Sequence, residues 1–264
     1  MMQKNEGSLL RSWYFYHRNF FEFYEIRIFD NDSDDPETLE VISEIRNCGT
    51  EVVFCPGKAA FNNKGKIFSS IIARRHRAPD WYFPLDCDEF LFIRRGNNPQ
   101  LPYDLPSVLD KISQDVNFLR LNHSYWNMPH STVGYYQIIQ KVAVRAGTHI
   151  DLDVGFHCYD WGIGQSDLVA ATEMVTDIGY LHFHNKPFDK LLEFSREKLI
   201  GRVDFNDPAR ANYSGDGAHL IKYLNMSGEE YIASLNLYKN AAEQEIDISP
   251  LFSKLNLIVP FSSP

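Results

Sequence analysis

The residues best suited to chemistry form a short acidic cluster, the sequence Asp-Cys-Asp-Glu at positions 86–89, which lies between two apolar runs. Three carboxylates within four residues repel one another and lose hydration where they end a buried strand. A divalent cation relieves both costs, and carboxylate oxygens are ligands that Mg²⁺ and Mn²⁺ prefer. Such ions commonly bind substrate phosphates, so the cluster predicts a metal site for a phosphorylated substrate. The alternative is a strand end whose acids face water.

A second acidic cluster occupies positions 30–35 and follows an apolar stretch, 24–29, that we expect to be a strand. Ligands of parallel sheets bind at the carboxyl ends of the strands, where both clusters fall. We therefore expect Asp30 and Asp86 to share one site. Turns and helix caps are also rich in Asp and Asn, so the second cluster is open to a purely structural interpretation.

Composition restricts the function classes. The chain has 264 residues, 44% of them hydrophobic, which is enough for one well-buried core. Its net charge of −9 argues against a nucleic-acid partner. The spacing of the four cysteines matches no metal-finger motif, and this pattern favours reduced thiols. No stretch is long and apolar enough for a membrane span and no signal peptide opens the chain, so we expect a cytoplasmic protein, free or peripheral at the inner face of the membrane.

Strand and helix patterns alternate over residues 1–95, which favours an α/β fold with a parallel sheet and crossover helices. The expected helices are one beginning at Ser8 and those at 37–46 and 64–77, and the expected strands are 24–29, 51–54 and the run that ends at Asp86. After residue 95 the pattern changes to a short helix at 105–112, strands at 117–121, 141–145 and 178–184, a helix at 187–202, and weaker helical signals at 218–224 and 229–235. The polar, aromatic segment 122–134 is predicted to be a functional loop at the sheet edge.

Histidine and lysine residues supply further candidates near the end of the strand at 178–184. We expect His182 to reach Asp88 and His184 not to, because we place the two histidines on opposite faces of the strand; a hydrogen-bonded histidine at a sheet edge is the alternative. Lys186 is the cation that we expect to meet a diphosphate. The basic residues that follow it are Lys190, Arg196 and Lys198; a diphosphate could engage one of them as well, and a solvated helix face explains most of them equally well.

Four sequence blocks, taken in order, resemble the glycosyltransferases with a GT-A fold, specifically the family 2-like group close to glycosyltransferase family 92. The blocks are 4–7 with Trp13 and His17, 28–35, 81–91, and 181–186 with Phe194 and Lys198, and they span most of residues 4–200. The resemblance implies a mostly parallel nucleotide-sugar-binding sheet flanked by helices, a mixed acceptor-side half and a helical C-terminus. It places one transferase domain at 1–210, with halves 1–95 and 96–210, and a C-terminal extension of that domain at 211–264.

The resemblance also implies roles for residues at the donor site. A nucleotide-sugar donor is expected to contact Asn5, Glu6, Asp30, Asp86 and Lys186, with Asp30 at the base or ribose. Mn²⁺ or Mg²⁺ is expected to be held by Asp86, Asp88 and His182, with Asp88 the direct ligand. A metal-bound diphosphate is a good leaving group, since the cation neutralises the charge that develops as the glycosidic bond breaks.

On the acceptor side, the resemblance implies inverting transfer to a glycan or lipid-linked hydroxyl, which requires a carboxylate base. Asp160 is the candidate base, because Tyr159 and Trp161 flank it and could hold a sugar ring, with Asp153 and Glu89 as the alternatives. Glu89 has a second expected role as a support for the metal site. Aromatic residues expected to stack on sugars or to pack in the core are Tyr125, Trp126, Tyr159 and Trp161.

The sequence departs from the resembled pattern at two places, and two other function classes are alternatives. The resemblance predicts an apolar strand before Lys4, yet only three residues stand there, so either the strand is very short or the sequence begins inside it. Asp32 occupies a turn position where the resembled pattern has Gly. A non-catalytic nucleotide or glycan binder on a degenerate transferase fold is one alternative. A haloacid-dehalogenase-type phosphohydrolase is another, although Glu89 and Phe90 do not fit its motif.

Overall fold

The smaller of two sheets is parallel and carries the second acidic cluster, residues 30–35, at its carboxyl edge. The computed structural model describes residues 1–74, 81–96, 98–157, 173–215 and 217–262. The strands lie in the order β1 (Met2–Gln3), β2 (Arg27–Asp30) and β3 (Glu51–Phe54). The connections are helices α1 (Gly7–His17) and α2 (Pro36–Asn47). On the far side of β1, Asp86 forms a parallel bridge with Met2, which brings both acidic clusters to one edge.

The larger sheet is mixed and supplies the strands that face this edge. Its path runs β11-β8-β7-β10-β5-β6, and β9 pairs with both β7 and β4. The pair β7–β10 is parallel and the other pairs of described strands in this sheet are antiparallel. The strands are β4 (Trp81–Tyr82), β5 (Glu89–Arg95), β6 (Asn98–Gln100), β7 (Phe118–Asn127), β8 (Val133–Gln137), β9 (Lys141–Arg145), β10 (Glu173–His182) and β11 (Glu245–Asp247).

Helices cover the sheets and form much of the C-terminal part. The remaining α-helices are α3 (Lys58–Asn62), α4 (Lys64–Arg74), α5 (Leu105–Leu109), α6 (Phe188–Leu199), α7 (Ile221–Leu224), α8 (Gly228–Ala241) and α9 (Ser249–Ser253), with 3₁₀ turns at Pro208–Asn212 and Ala218–Leu220. A capping box begins α8, where Ser227 accepts from the Glu230 amide and Glu230 accepts from the Ser227 amide. Across the described ranges, every helix is too short or too polar to span a bilayer.

The predicted α/β class is confirmed, since a parallel three-stranded sheet stands beside a larger mixed one. The strand predicted at 51–54 has those bounds in the structure. The functional loop predicted at 122–134 is wrong, because β7 continues to Asn127 and β8 begins at Val133. The cause is a central strand with polar side chains that are satisfied internally. Ser124, for example, is buried and accepts a hydrogen bond from Gln137.

The first strand of the parallel sheet is short. Strand β1 is two residues long, and it pairs with β2 through Met2–Phe29 and Gln3–Asp30. Asp32 adopts a left-handed conformation, with φ of 67°. Glycine would adopt this conformation at lower cost, so the backbone at Asp32 in the turn after β2 is one that favours glycine.

His17, near the end of α1, is a buried structural histidine. Its Nδ1 donates to the carbonyl of Trp13 at 2.8 Å, and its Nε2 accepts from the Leu91 amide at 3.3 Å. Both ring nitrogens are satisfied only in the neutral form. Burial lowers the pKa of His17 to about 3, although the hydrogen bond to the Trp13 carbonyl opposes the shift.

This histidine predicts a loss of stability in acid. Below its ordinary pKa of 6.5, His17 takes up a proton in the unfolded chain but not in the folded protein, until about pH 3. The free energy of unfolding should therefore fall by about 1.4 kcal/mol for each pH unit through that window. Urea unfolding of the wild type and His17→Gln at several pH values measures the effect. Equal pH slopes for the two proteins would contradict it.

Candidate metal site

Three potential metal ligands converge beside the carboxyl edge of the parallel sheet. Ligand atoms of Asp88, His182 and His184 all lie within 4.8 Å of one another. Asp88 belongs to the tight turn between Asp86 and β5. His182 ends β10, which runs antiparallel to β5 with His182 opposite Glu89. The amide of Phe183 donates to the Asp88 carbonyl at 2.7 Å and fixes the two segments against each other.

The structure corrects the expectation that His184 points away from Asp88. Residues two apart on an extended chain lie on the same face, and only the residue between them points to the other. The rings of His182 and His184 are accordingly 5.2 Å apart, and Phe183 between them is fully buried. The error lay in the assignment of faces, so the sequence itself contained the signal for a second imidazole at the site.

Charge coupling maintains an ionised carboxylate at this site. Burial alone would raise the pKa of Asp88, but His182, 3.4 Å away, holds it well below its usual range. Burial alone would lower the pKa of His182, and Asp88 raises it above its ordinary value. Burial and the charge of His182 lower the pKa of His184 to about 4. One carboxylate and two imidazoles, half-buried or exposed, can bind a divalent cation and leave coordination positions open to a ligand.

Gln137 lies behind His182, and sequence reasoning missed it. Its Nε2 is 3.4 Å from Nδ1 of His182 and donates to Ser124 Oγ at 2.6 Å. Neighbours that bind the distal nitrogen of a ligating histidine hold the ring in position. Residues 122–134 were assigned to a loop, which concealed the adjacency of Ser124 on β7 and Gln137 on β8.

Asp86 and Glu89 belong to a separate, buried network with two lysines. Lys64 Nζ lies 2.5 Å from Asp86 Oδ1, and Lys141 Nζ lies 3.2 Å from Asp86 Oδ2 and 2.6 Å from Glu89 Oε2. The carboxylate of Glu89 also accepts from the Asp86 amide at 2.8 Å. The ring of Phe156 lies against both ammonium groups. Sequence reasoning did not identify either lysine as a functional residue.

This network changes the expected roles of the two acids. Burial alone would raise the pKa of Asp86, but Lys141 and Lys64 lower it, so the carboxylate is ionised and both its oxygens are paired. Asp86 stands outside the group of three ligands, and a cation would have to displace these ion pairs to bind it. Glu89 is 1% exposed and burial raises its pKa. A general base must touch the acceptor, so Glu89 in this position supports Lys141 and the Asp86 turn instead.

Local geometry presents Lys64 to Asp86. The second residue of α4, Gly65, packs so closely on residue 152 that an added Cβ would lie 2.0 Å from the Leu152 carbonyl oxygen. Only glycine allows this approach without displacement of the backbone. A substitution there would push the start of α4, and Lys64 with it, away from the network.

Asp30 and Asn5 tie the loops that follow β1 and β2. Asp30 is buried, and its Oδ1 accepts from Gln3 and from Ser33 Oγ, both at 2.6 Å. Asn5 donates to Asp34 at 2.7 Å and accepts from the Asp34 amide at 3.0 Å. The structural interpretation of this acidic cluster holds for Asp35, whose side chain accepts from the amide of Thr38 and caps α2. Asp30 and Asn5 therefore lie at the predicted edge, where they already bind protein groups.

Lys186 and Glu6 form an ion pair across 180 residues of sequence, with 2.8 Å between Nζ and Oε2. Burial alone would lower the pKa of Lys186, and Glu6 raises it. The two residues join the loop after β1 to the segment after β10. Since Glu6 neutralises Lys186, the pair presents less positive charge to an anion than the sequence suggested.

The remaining candidates are the expected bases and the aromatic residues, and only some of them lie in the described part of the chain. Asp160 with its neighbours Tyr159 and Trp161 lies outside the described residues. Asp153 accepts from the His157 amide at 2.7 Å. Tyr125 and Trp126 are buried, which makes the sugar-stacking expectation wrong for these two and assigns them to the core.

Neither known protein-family profiles nor curated protein sequences match this chain.

Proposed function

We propose that this protein is a metal-dependent glycosyltransferase that moves a sugar from a nucleotide-sugar donor to a hydroxyl of a glycan or lipid-linked acceptor. The observation that carries the proposal is the convergence of Asp88, His182 and His184 beside the carboxyl edge of a parallel sheet. Ligands of open α/β sheets bind at this edge. A donor diphosphate would complete the coordination of the cation.

The donor set favours Mn²⁺ over Mg²⁺. Mg²⁺ takes oxygen ligands almost entirely, whereas imidazole nitrogens suit first-row transition ions. Mn²⁺ binds phosphate oxygens and also accepts imidazole. When bound, the cation would neutralise charge on the departing diphosphate. The protein's own contribution is to hold the three ligands, with Gln137 behind His182 and Phe183 locked to the Asp88 turn.

The principal alternative is a non-catalytic nucleotide or glycan binder. The position of Glu89 favours it, because the acid nearest to Asp88 in sequence is buried in an ion pair and not open to an acceptor. A phosphohydrolase that uses Asp86 as its nucleophile is disfavoured, since two ammonium groups engage both oxygens of that carboxylate.

Donor hydrolysis separates these functions. We expect the protein to release UDP or GDP from one of a set of nucleotide sugars, faster with Mn²⁺ than with Mg²⁺, and to stop when the metal is chelated. Thermal shift with the same panel identifies the donor nucleotide. Mn²⁺-dependent stabilisation by a nucleotide sugar, without nucleotide release in the presence of any tested acceptor, would support the binder and refute the transferase.

A further inference from the structure

Lys198, near the end of α6, is a half-buried cation without an acidic partner. Its Nζ lies 5.2 Å from the ring centroid of Phe194 and 5.5 Å from that of Phe61. No carboxylate in the described part of the chain lies within ion-pair distance of it. Aromatic faces attract an ammonium group but supply no conventional hydrogen-bond acceptor, so the two rings leave its N–H donors available to a further ligand.

The neighbours of Lys198 leave this region with an excess of positive charge. Lys186 lies 5.3 Å from the same Phe194 ring, and its charge is matched by Glu6. Burial lowers the pKa of Lys198, Glu6 opposes the shift, and the charges of Lys4, Arg202 and Lys186 add to it. Glu6, already paired with Lys186, therefore faces several cations. The excess is notable in a chain whose net charge is −9, because acids are available in surplus elsewhere.

This cationic region adjoins both the three metal ligands and the buried network. Lys186 follows His184 by two residues and shares the Phe194 ring with Lys198, which joins this region to the segment that carries two of the ligands. On the other side, Phe61 contacts both Lys198 and Lys64, the partner of Asp86. Lys198 thus shares one aromatic ring with Lys186 and another with Lys64.

We propose that Lys198 is an anion-binding residue that contacts the phosphate groups of a ligand whose other oxygens coordinate the cation at Asp88, His182 and His184. The inference rests on the proposed function for the identity of that ligand, a nucleoside diphosphate carried by the donor. The physical basis is preorganisation. Phe61 and Phe194 hold a partly dehydrated ammonium in position, so an arriving phosphate displaces little water and gains a charge-assisted hydrogen bond.

The competing explanation is a purely structural clamp, in which Lys198 joins α3 to α6 through the two rings. The clamp and the anion site make different predictions for a methionine at position 198. A methionine side chain retains contact with aromatic rings and loses the charge. A clamp would therefore survive in Lys198→Met, whereas an anion site would not, and arginine would preserve the anion site.

Calorimetric titration of inorganic pyrophosphate and of UDP and GDP, each with and without Mn²⁺, tests the proposal. We expect Lys198→Met and Lys198→Gln to weaken pyrophosphate binding by at least about 10-fold, the size of a lost charge-assisted hydrogen bond. Lys198→Arg should stay within about 3-fold of the wild type. The matched control is Lys190→Met, an exposed lysine of the same helix that is paired with Glu193 and should bind as the wild type does.

Wild-type affinity in a folded Lys198→Met or Lys198→Gln protein would overturn the proposal, as would a wild-type protein that does not bind pyrophosphate. A weakened Lys198→Met without nucleotide-sugar turnover in the wild type would leave the anion site standing and refute the transferase. Turnover in the wild type with unchanged pyrophosphate affinity in Lys198→Met would support the transferase and refute the anion-binding role of Lys198.

Discussion

Replacement of Asp88 by asparagine should abolish metal-dependent turnover while the protein remains folded. Asparagine has the same shape and leaves the bond from the Phe183 amide to the carbonyl of residue 88 in place. It removes the one negative charge among the three ligands, and that charge is what matches a divalent cation. Loss of a residue that merely orients a metal ligand costs about 10- to 100-fold, so loss of a ligand should cost more than about 100-fold in turnover.

Two measurements check this result. Steady-state nucleotide release gives the loss of activity, and the Mn²⁺-induced shift in melting temperature should disappear in Asp88→Asn. Asp177→Asn is the matched control, because Asp177 is an exposed acid on the same strand as His182 and lies outside the three ligands. Full activity of Asp88→Asn in buffer that contains a metal chelator would refute both the metal site and its role in turnover.

Local sequence patterns were sufficient to predict much of the first half of the fold, but the strand expected to end at Asp86 is wrong, because β4 ends at Tyr82 and the acidic cluster leads into β5. The strand at 51–54 and the helix that Asp35 caps depend on short-range periodicity and cap chemistry, which a sequence displays directly. The second half was harder to predict, because β7 and β10 contain buried polar residues whose partners are distant in sequence. Asn127, for example, exchanges hydrogen bonds with residue 185, a separation of 58 positions. A segment with these polar residues has the composition of a loop, and only the pairing of its strand identifies it as part of a buried sheet.

The candidate site could also be predicted from the sequence only where its signals are local. Asp88 and His182 were accessible from sequence, because an acidic cluster after an apolar run and a histidine at a strand end are local signals. The roles of Lys64 and Lys141 were not, since a lysine at the start of a helix or strand ordinarily faces water. Their burial depends on contacts 22 and 55 residues away from Asp86. Once those contacts form, both oxygens of Asp86 are paired with lysines, and Asp88 and the two histidines remain as the candidate metal ligands.

The buried network predicts a large loss of stability when one of its lysines is replaced. In Lys141→Met, Glu89 loses its closest cation and Asp86 keeps only Lys64. Lys141 and Glu89 are each 1% exposed, so the Glu89 carboxylate gains little hydration when the lysine is removed. Removal of one partner from a buried ion pair typically costs 3–5 kcal/mol, because the remaining charge is left uncompensated. We expect the free energy of unfolding of Lys141→Met to fall by about that amount.

A double replacement separates an uncompensated charge from lost packing. In Lys141→Met/Glu89→Gln the orphaned carboxylate is also removed, so the double variant should be more stable than Lys141→Met by about 1–3 kcal/mol. Urea unfolding followed by circular dichroism measures all three proteins, with the exposed Lys190→Met as the control for loss of a surface charge. If Lys141→Met loses less than about 1 kcal/mol, or if the second substitution restores nothing, Lys64 alone balances the acids and the network is not the source of stability argued here.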